Sequence, residues 1–88
     1  MEIIKRNGKI EEYNEKKVFS AVFEACLNAH LSRNKSYEIA REVTKEANKK
    51  VKKMDYISSN NLFIYIVNIM KRFDEDAAFM FATHRDIN

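Results

Sequence analysis

The chain has 88 residues, 45% of them hydrophobic, with a formal charge of +3. Those figures fit one small globular domain and argue against disorder. A domain of this size buries only about 60% of its unfolded surface, which leaves little volume for a deep catalytic cleft. No apolar run is long enough to span a membrane, and the opening residues Met1–Arg6 lack the apolar core of a signal peptide, so a cytoplasmic setting is expected. The single cysteine, Cys26, excludes an internal disulfide and the common zinc ribbons and fingers. It sits in an apolar stretch and reads as a small core residue.

Punctuation is scarce: one glycine, Gly8, and no proline. Asn7-Gly8 lies between two strand-like runs, Glu2–Lys5 and Lys9–Tyr13, and predicts a β-hairpin over residues 2–13. A two-residue type I′ turn, with positive φ at both Asn7 and Gly8, is the expected connection. Asn14 is a natural N-cap for a helix over about 15–29. In that helix Val18, Val22, Ala25 and Ala29 form one stripe, and Phe19, Phe23 and Cys26 an adjoining one. Residues 30–34 read as a loop.

A second helix is expected from Lys35 or Ser36 to Met54, with Ile39, Val43, Ala47, Val51 and Met54 at helical spacing. Seven of the chain's 16 Lys and Arg residues fall between Lys35 and Lys53, interleaved with glutamates. Such a face is usually solvated. Tyr56-Ile57 suits a short third strand. Ser58-Ser59-Asn60-Asn61 is a cluster of capping residues that opens a third helix over about 60–73. That helix is apolar nearly all round, as expected of one that is central or at a subunit interface. Asp74 can cap a last helix over about 75–85. The fold class is therefore α+β, mainly α: a four-helix bundle capped by a small β-hairpin or three-stranded sheet.

Catalytic motifs are absent. One glycine cannot build a phosphate-binding loop of the Walker type or a dinucleotide fingerprint, and no His/Glu spacing suggests a metal ligand set. Asp74-Glu75-Asp76 reads as helix capping. Glu11 and Glu12 differ from these, because neighbours on a strand face opposite ways and one of the two can face the helices. The stretch from Lys5 to Lys17 joins a cationic hairpin mouth, a carboxylate, an asparagine cap and a lysine in the first helical turn. An anionic ligand bearing a base could use all of them. The alternative is a turn, a cap and ordinary surface charge.

Lys5-Arg6-Asn7-Gly8, Glu11, Tyr13, Asn14 and Lys17-Val18 resemble the opening of the ATP-cone, roughly Val-x-Lys-Arg-Asp-Gly-x-x-Glu-x-Phe-x-x-x-Lys-Ile. Ile57-Ser58-Ser59 with Asn61-Leu62 resembles that family's Ile-Ser/Thr-Ser/Thr-x-x-Ile segment. Ala78, Phe81 and Arg85 resemble its closing Ala-x-x-Tyr-x-x-x-Arg. The ATP-cone is the regulatory nucleotide-binding module of ribonucleotide reductases and of a related transcriptional repressor.

The resemblance implies four helices under a three-stranded sheet, with ATP or dATP bound between them, with or without Mg2+. It implies no catalysis. Carried over by position, Lys5, Arg6 and Ser59 would lie on the phosphate side, and Glu11, Asn14 and Lys17 nearer base and sugar. Phe63 stands where some members have His, and Asp86 where some have Lys; both changes remove phosphate partners. The expected function is allosteric regulation by adenine nucleotide, as a stand-alone cone or as a lobe of a reductase. It would act on a reductase or regulator partner or on the chain's own oligomeric state. The alternatives are a degenerate cone serving as a protein-interaction module and a small basic nucleic-acid-binding protein. Against the last stand the interleaved glutamates and the lack of a recognition motif.

Overall fold

The computed structural model describes residues 1–84. Three short strands, β1 (Glu2–Ile4), β2 (Ile10–Glu12) and β3 (Tyr56–Ser58), combine with four helices, α1 (Glu15–Asn28), α2 (Arg33–Val51), α3 (Ser59–Lys71) and α4 (Glu75–His84). The helices form a closed ring: α1 packs on α2 and α4, and α3 packs on the same two. The class is α+β, mainly α.

Alternation along the strands decides what the sheet shows the bundle. β1 is central, antiparallel to β2 and parallel to β3. Register aligns Glu11, Ile3 and Ile57 in one row across the sheet. Ile3 and Ile57 are buried against the helices, so Glu11 shares the inward row while Glu12 lies in the outward one. Burying an isoleucine side chain contributes about 1.5–3 kcal/mol, enough to fix the register of strands this short.

The hairpin connection differs from the expected one. Only Gly8 has positive φ, at 85°; Asn7 does not. Gly8 N–H donates to the Lys5 carbonyl at 2.9 Å and Lys5 N–H to the Lys9 carbonyl at 2.8 Å. The loop is thus three residues, Arg6-Asn7-Gly8, a turn followed by a left-handed glycine. Asn7 serves through its side chain, which accepts from Lys9 N–H at 3.1 Å. An asparagine that can bond the chain two residues on need not adopt positive φ itself.

Helix ends also shift. The left-handed residue that stops α1 is His30, φ 67°. Its N–H donates to the Leu27 carbonyl, and Leu31 N–H to that of Cys26. This is the Schellman arrangement with histidine where glycine is usual. Ser32 then caps α2 by accepting from Lys35 N–H at 3.1 Å, so that helix begins at Arg33 and not at Lys35 or Ser36. It ends at Val51 and not at Met54, because Lys53 and Met54 donate three residues back and tighten the chain toward β3. Ser58 caps α3, which starts at Ser59, one residue before the expected start, and ends at Lys71, short of Phe73. Asp74 caps α4 through Ala77 N–H at 2.8 Å. Arg85, assigned from sequence to the end of α4, and Asp86 lie outside the described residues.

The core joins Val22, Ala25 and Cys26 of α1 to Ile39, Ala40, Val43 and Ala47 of α2, with Leu62, Ile66, Ile69 and Met70 of α3 and Ala77 and Ala78 of α4. The alanines let the helices approach closely. Cys26 is fully buried, and burial pushes its thiol up to about 11, as suits a core residue. α3 is not buried all round: Ile64 is about half exposed. Phe19 and Phe23 are half-buried and stack at 6.1 Å, with Tyr37 edge-on to Phe19. At the α2–α3 seam, Arg72 pairs with Glu46, and Lys50 sits 5.2 Å from the Tyr65 ring centre.

Two backbone and core features predict stability changes. His30→Gly should raise stability by about 0.5–1 kcal/mol, because glycine meets no Cβ penalty in the left-handed region; a chemical denaturation midpoint reads this. Ser36 is fully buried on α2 and its hydroxyl has no hydrogen-bond partner. Ser36→Ala should therefore leave stability unchanged or raise it by up to about 1 kcal/mol, where an ordinary buried serine would lose its bond.

Candidate functional site

A cleft of about 220 Å3 opens where the sheet meets α1 and α3. Strand alternation and two helix starts build it. β2 supplies Glu11 from its inward position. Asn14 and Lys17 come from the cap and first turn of α1, Lys5 from the residue after β1, and Ser59 from the first residue of α3. Five of the six residues singled out from sequence thus line one cleft. Arg6 does not: it sits in the hairpin turn, exposed, outside the lining.

Electrostatics centre on Glu11. Lys5 Nζ lies 3.1 Å from Glu11 Oε2, and Lys17 Nζ lies 3.6 Å from Oε1. The hydrogen bond from Lys5, aided by Lys17, holds the Glu11 carboxyl below the usual glutamate range against the opposing effect of desolvation. Both lysines remain substantially exposed, so these pairs contribute little to stability and mainly set geometry. Asn14 Oδ1 accepts from Lys16 N–H at 3.0 Å, as an N-cap should. That oxygen is committed to the helix, which leaves the amide NH2 as a donor for a ligand.

Beneath this rim the walls are apolar. Ile3, Val18, Leu62 and Ile66 form the floor. Phe63 and Phe81 stack at 5.3 Å with ring planes 22° apart, and both line the cleft. Sequence reasoning treated Phe63 as a lost phosphate partner and missed its role as an aromatic wall. The i, i+3 and i, i+4 pattern of α3 carried no signal that Phe63 meets α4 at the cleft. Tyr13 also borders it, and its hydroxyl donates to Asn48 Oδ1 at 2.7 Å, while Asn48 Nδ2 donates to Glu15. Burial, with Glu15 nearby, raises the Tyr13 hydroxyl to about 12, so it stays a donor. This chain locks the sheet-to-α1 junction onto α2.

A larger groove, about 500 Å3, runs between α1 and α2 past Lys16, Arg41 and Lys45. It contains none of the six residues, and Phe19 is the apolar side chain that lines it. Among the described residues no cluster of three His, Cys, Asp or Glu side chains could hold a metal ion. No helix among them is long and apolar enough to cross a membrane.

The Glu11 contacts have a signed pH consequence. A carboxyl whose folded value is depressed contributes stability above its unfolded value, and that contribution disappears as pH falls through the folded value. Denaturation midpoints of wild type and Glu11→Gln should differ by a constant amount from neutral pH down to the ordinary glutamate range. Below that range the two curves should converge. A gap that persists or widens in acid would contradict the Lys5–Glu11–Lys17 arrangement.

No curated protein matches the chain. The family model described as ATP cone domain matches residues 1–82. That span holds the hairpin, all three strands, both helix starts and the aromatic wall. The chain belongs to the ATP-cone family, a family of regulatory, nucleotide-binding domains that take adenine nucleotide effectors.

Proposed function

We propose that the cleft under the sheet is the adenine-nucleotide site, and that the domain senses nucleotide without catalysing a reaction. The observation that supports this most is the meeting of Lys5, Glu11, Asn14, Lys17 and Ser59 over one apolar floor. These residues come from the hairpin and from the starts of α1 and α3, and of them Asn14 also serves as the cap of α1. In this reading Glu11 accepts from the exocyclic amine of adenine. A carboxylate has about four lone-pair sites, so two lysine contacts leave capacity. The Asn14 amide donates to a ring nitrogen, and the base lies against Phe63 and Phe81. Lys17 meets the ribose edge. Lys5 and Ser59, the latter at the positive end of α3, lie toward the first phosphate. Arg6 meets the phosphate chain only outside the mouth.

The effector is ATP or dATP. Mg2+ would arrive on the phosphates, since among the described residues Glu11 is the carboxylate lining the cleft and it is already paired with two lysines. Regulation would follow from different affinities for nucleotide in two association states, and the coupling is bounded by that difference. The state would be read by a second copy of the domain, by a ribonucleotide reductase or by a related regulator, in the cytoplasm. A second reading, a cone that only docks proteins, draws on the exposed Ile10, Tyr56 and Phe79, each 63% accessible.

Calorimetric titration with ATP, dATP, ADP and GTP, beside sizing of free and loaded protein, separates the two. The nucleotide reading expects heat with adenine nucleotides. It also expects Glu11→Ala and Lys17→Ala each to weaken binding by about 1–3 kcal/mol, the worth of a charge-assisted hydrogen bond. No heat at millimolar nucleotide would remove it and favour docking.

A further inference from the structure

The groove of about 500 Å3 between α1 and α2 shares no lining residue with the cleft under the sheet. Its cations are Lys16, Arg41 and Lys45, set against the carboxylates of Glu15 and Glu42. Lys16 and Lys45 make no ion pair among the described residues. The Arg41 side chain is 67% exposed and reaches Glu42 only at 4.0 Å. Glu15 is occupied by the side-chain amide of Asn48. Aromatic rings run along the same side. Phe19 lines the groove, and Tyr37, 56% exposed, stands edge-on to it with ring centres 5.4 Å apart. Phe23 stacks on Phe19, and the Arg33 guanidinium lies 5.8 Å from the Phe23 ring centre.

Spacing along α2 produces this pattern. Arg33, Tyr37, Arg41 and Lys45 recur every fourth residue and form one ridge of the helix, about 18 Å long at 1.5 Å per residue. Glu38, Glu42 and Glu46 form a second ridge, turned about 100° further round. Glu46 there takes Arg72 on the α3 side. The glutamates that interleave with the cations in sequence therefore fall on a different ridge, and Glu42 is the one of the three that lines the groove.

A ridge that alternates positive charge with aromatic rings matches an extended chain of regularly spaced negative charges and flat bases. Cations follow the phosphates and rings stack on the bases, a mode that needs no recognition helix. An acidic peptide would use the cations but leave the exposed face of Tyr37 without a flat partner. We propose that the groove between α1 and α2 binds single-stranded nucleic acid without regard to sequence, at a site separate from the adenine-nucleotide cleft. Phosphates and base faces are common to DNA and RNA, so both are held.

Fluorescence anisotropy of a labelled thymidine DNA oligomer of about twelve nucleotides, titrated with the full chain, tests this. The probe contains no adenine, so its outcome is independent of the reading of the cleft. A dissociation constant of about 1–100 μM at physiological salt is expected. With three or four phosphates neutralised, affinity should fall about twenty- to fifty-fold between about 50 and 200 mM salt. A uridine RNA oligomer of the same length should bind within about ten-fold of the DNA. Arg41→Glu combined with Lys45→Glu should abolish oligomer binding while leaving the heat of ATP binding unchanged. Tyr37→Ala should weaken the oligomer by about ten-fold, and Tyr37→Phe, which keeps the ring face, should not. Saturating ATP should leave the oligomer bound. Displacement by ATP would place the oligomer in the cleft and overturn the proposal. Unchanged affinity in the doubly substituted chain, or no binding at low salt, would overturn it as well. Displacement by an equal concentration of an oligoglutamate peptide would assign the groove to an acidic protein segment and likewise overturn it.

Discussion

One carboxylate holds two ammonium groups at the junction of sheet and bundle, and the cleft depends on that contact. Glu11 reaches Lys5, the residue after β1, and Lys17 in the first turn of α1. Three consecutive pieces of chain, the hairpin, its exit and the first helix, are thereby drawn around one opening. The contact exists because Glu11 occupies the inward row of the sheet beside Ile3 and Ile57. A one-residue slip in register would send Glu11 to solvent and bring Ile10 or Glu12 inward. The buried isoleucines make that slip costly, so apolar packing in the sheet sets the position of the charge.

The same junction is braced from the far side. Tyr13 reaches across to Asn48 on α2, and Asn48 turns to Glu15, one residue after the Asn14 cap. Asn14 itself holds the amide of Lys16. Asn14, which would touch a ligand, is thus held by a bond that serves a helix start, beside a Tyr13–Asn48–Glu15 chain that ties the junction to α2. Rigid support of this kind favours binding, because little side-chain freedom remains to be lost when a ligand arrives.

Much of this was legible in the residues. Asn7-Gly8 marked the hairpin, Asn14 the start of α1, and the alternation of Glu11 and Glu12 implied that one of them faces the helices. Apolar spacing located the four helices and the core sides of α1 and α2. Other features depend on bonds that spacing does not encode. Asn7 could meet a turn's needs by its own φ or by a side-chain bond, and the second won. His30 stops α1 in a left-handed conformation that composition assigns to glycine. Ser32 and Ser58 each had neighbours equally able to cap, which displaced helix starts by one to three residues. The wall of Phe63 and Phe81 joins α3 to α4 across a tertiary contact, and α3 read alone suggested only an apolar helix. Arg6 belonged to the same cationic run as Lys5, yet the three-residue turn sets it outside the cleft.

The central claim is that the ligand enters beneath the sheet, at Glu11, and not in the larger groove between α1 and α2. Backbone amide shifts in an isotope-labelled sample titrated with ATP test it most directly. The largest changes should cluster at Lys5, Glu11, Asn14, Lys17, Ser59 and Phe63. Changes confined to Lys16, Arg41 and Lys45 along the α1–α2 groove, or none at saturating ATP, would contradict it.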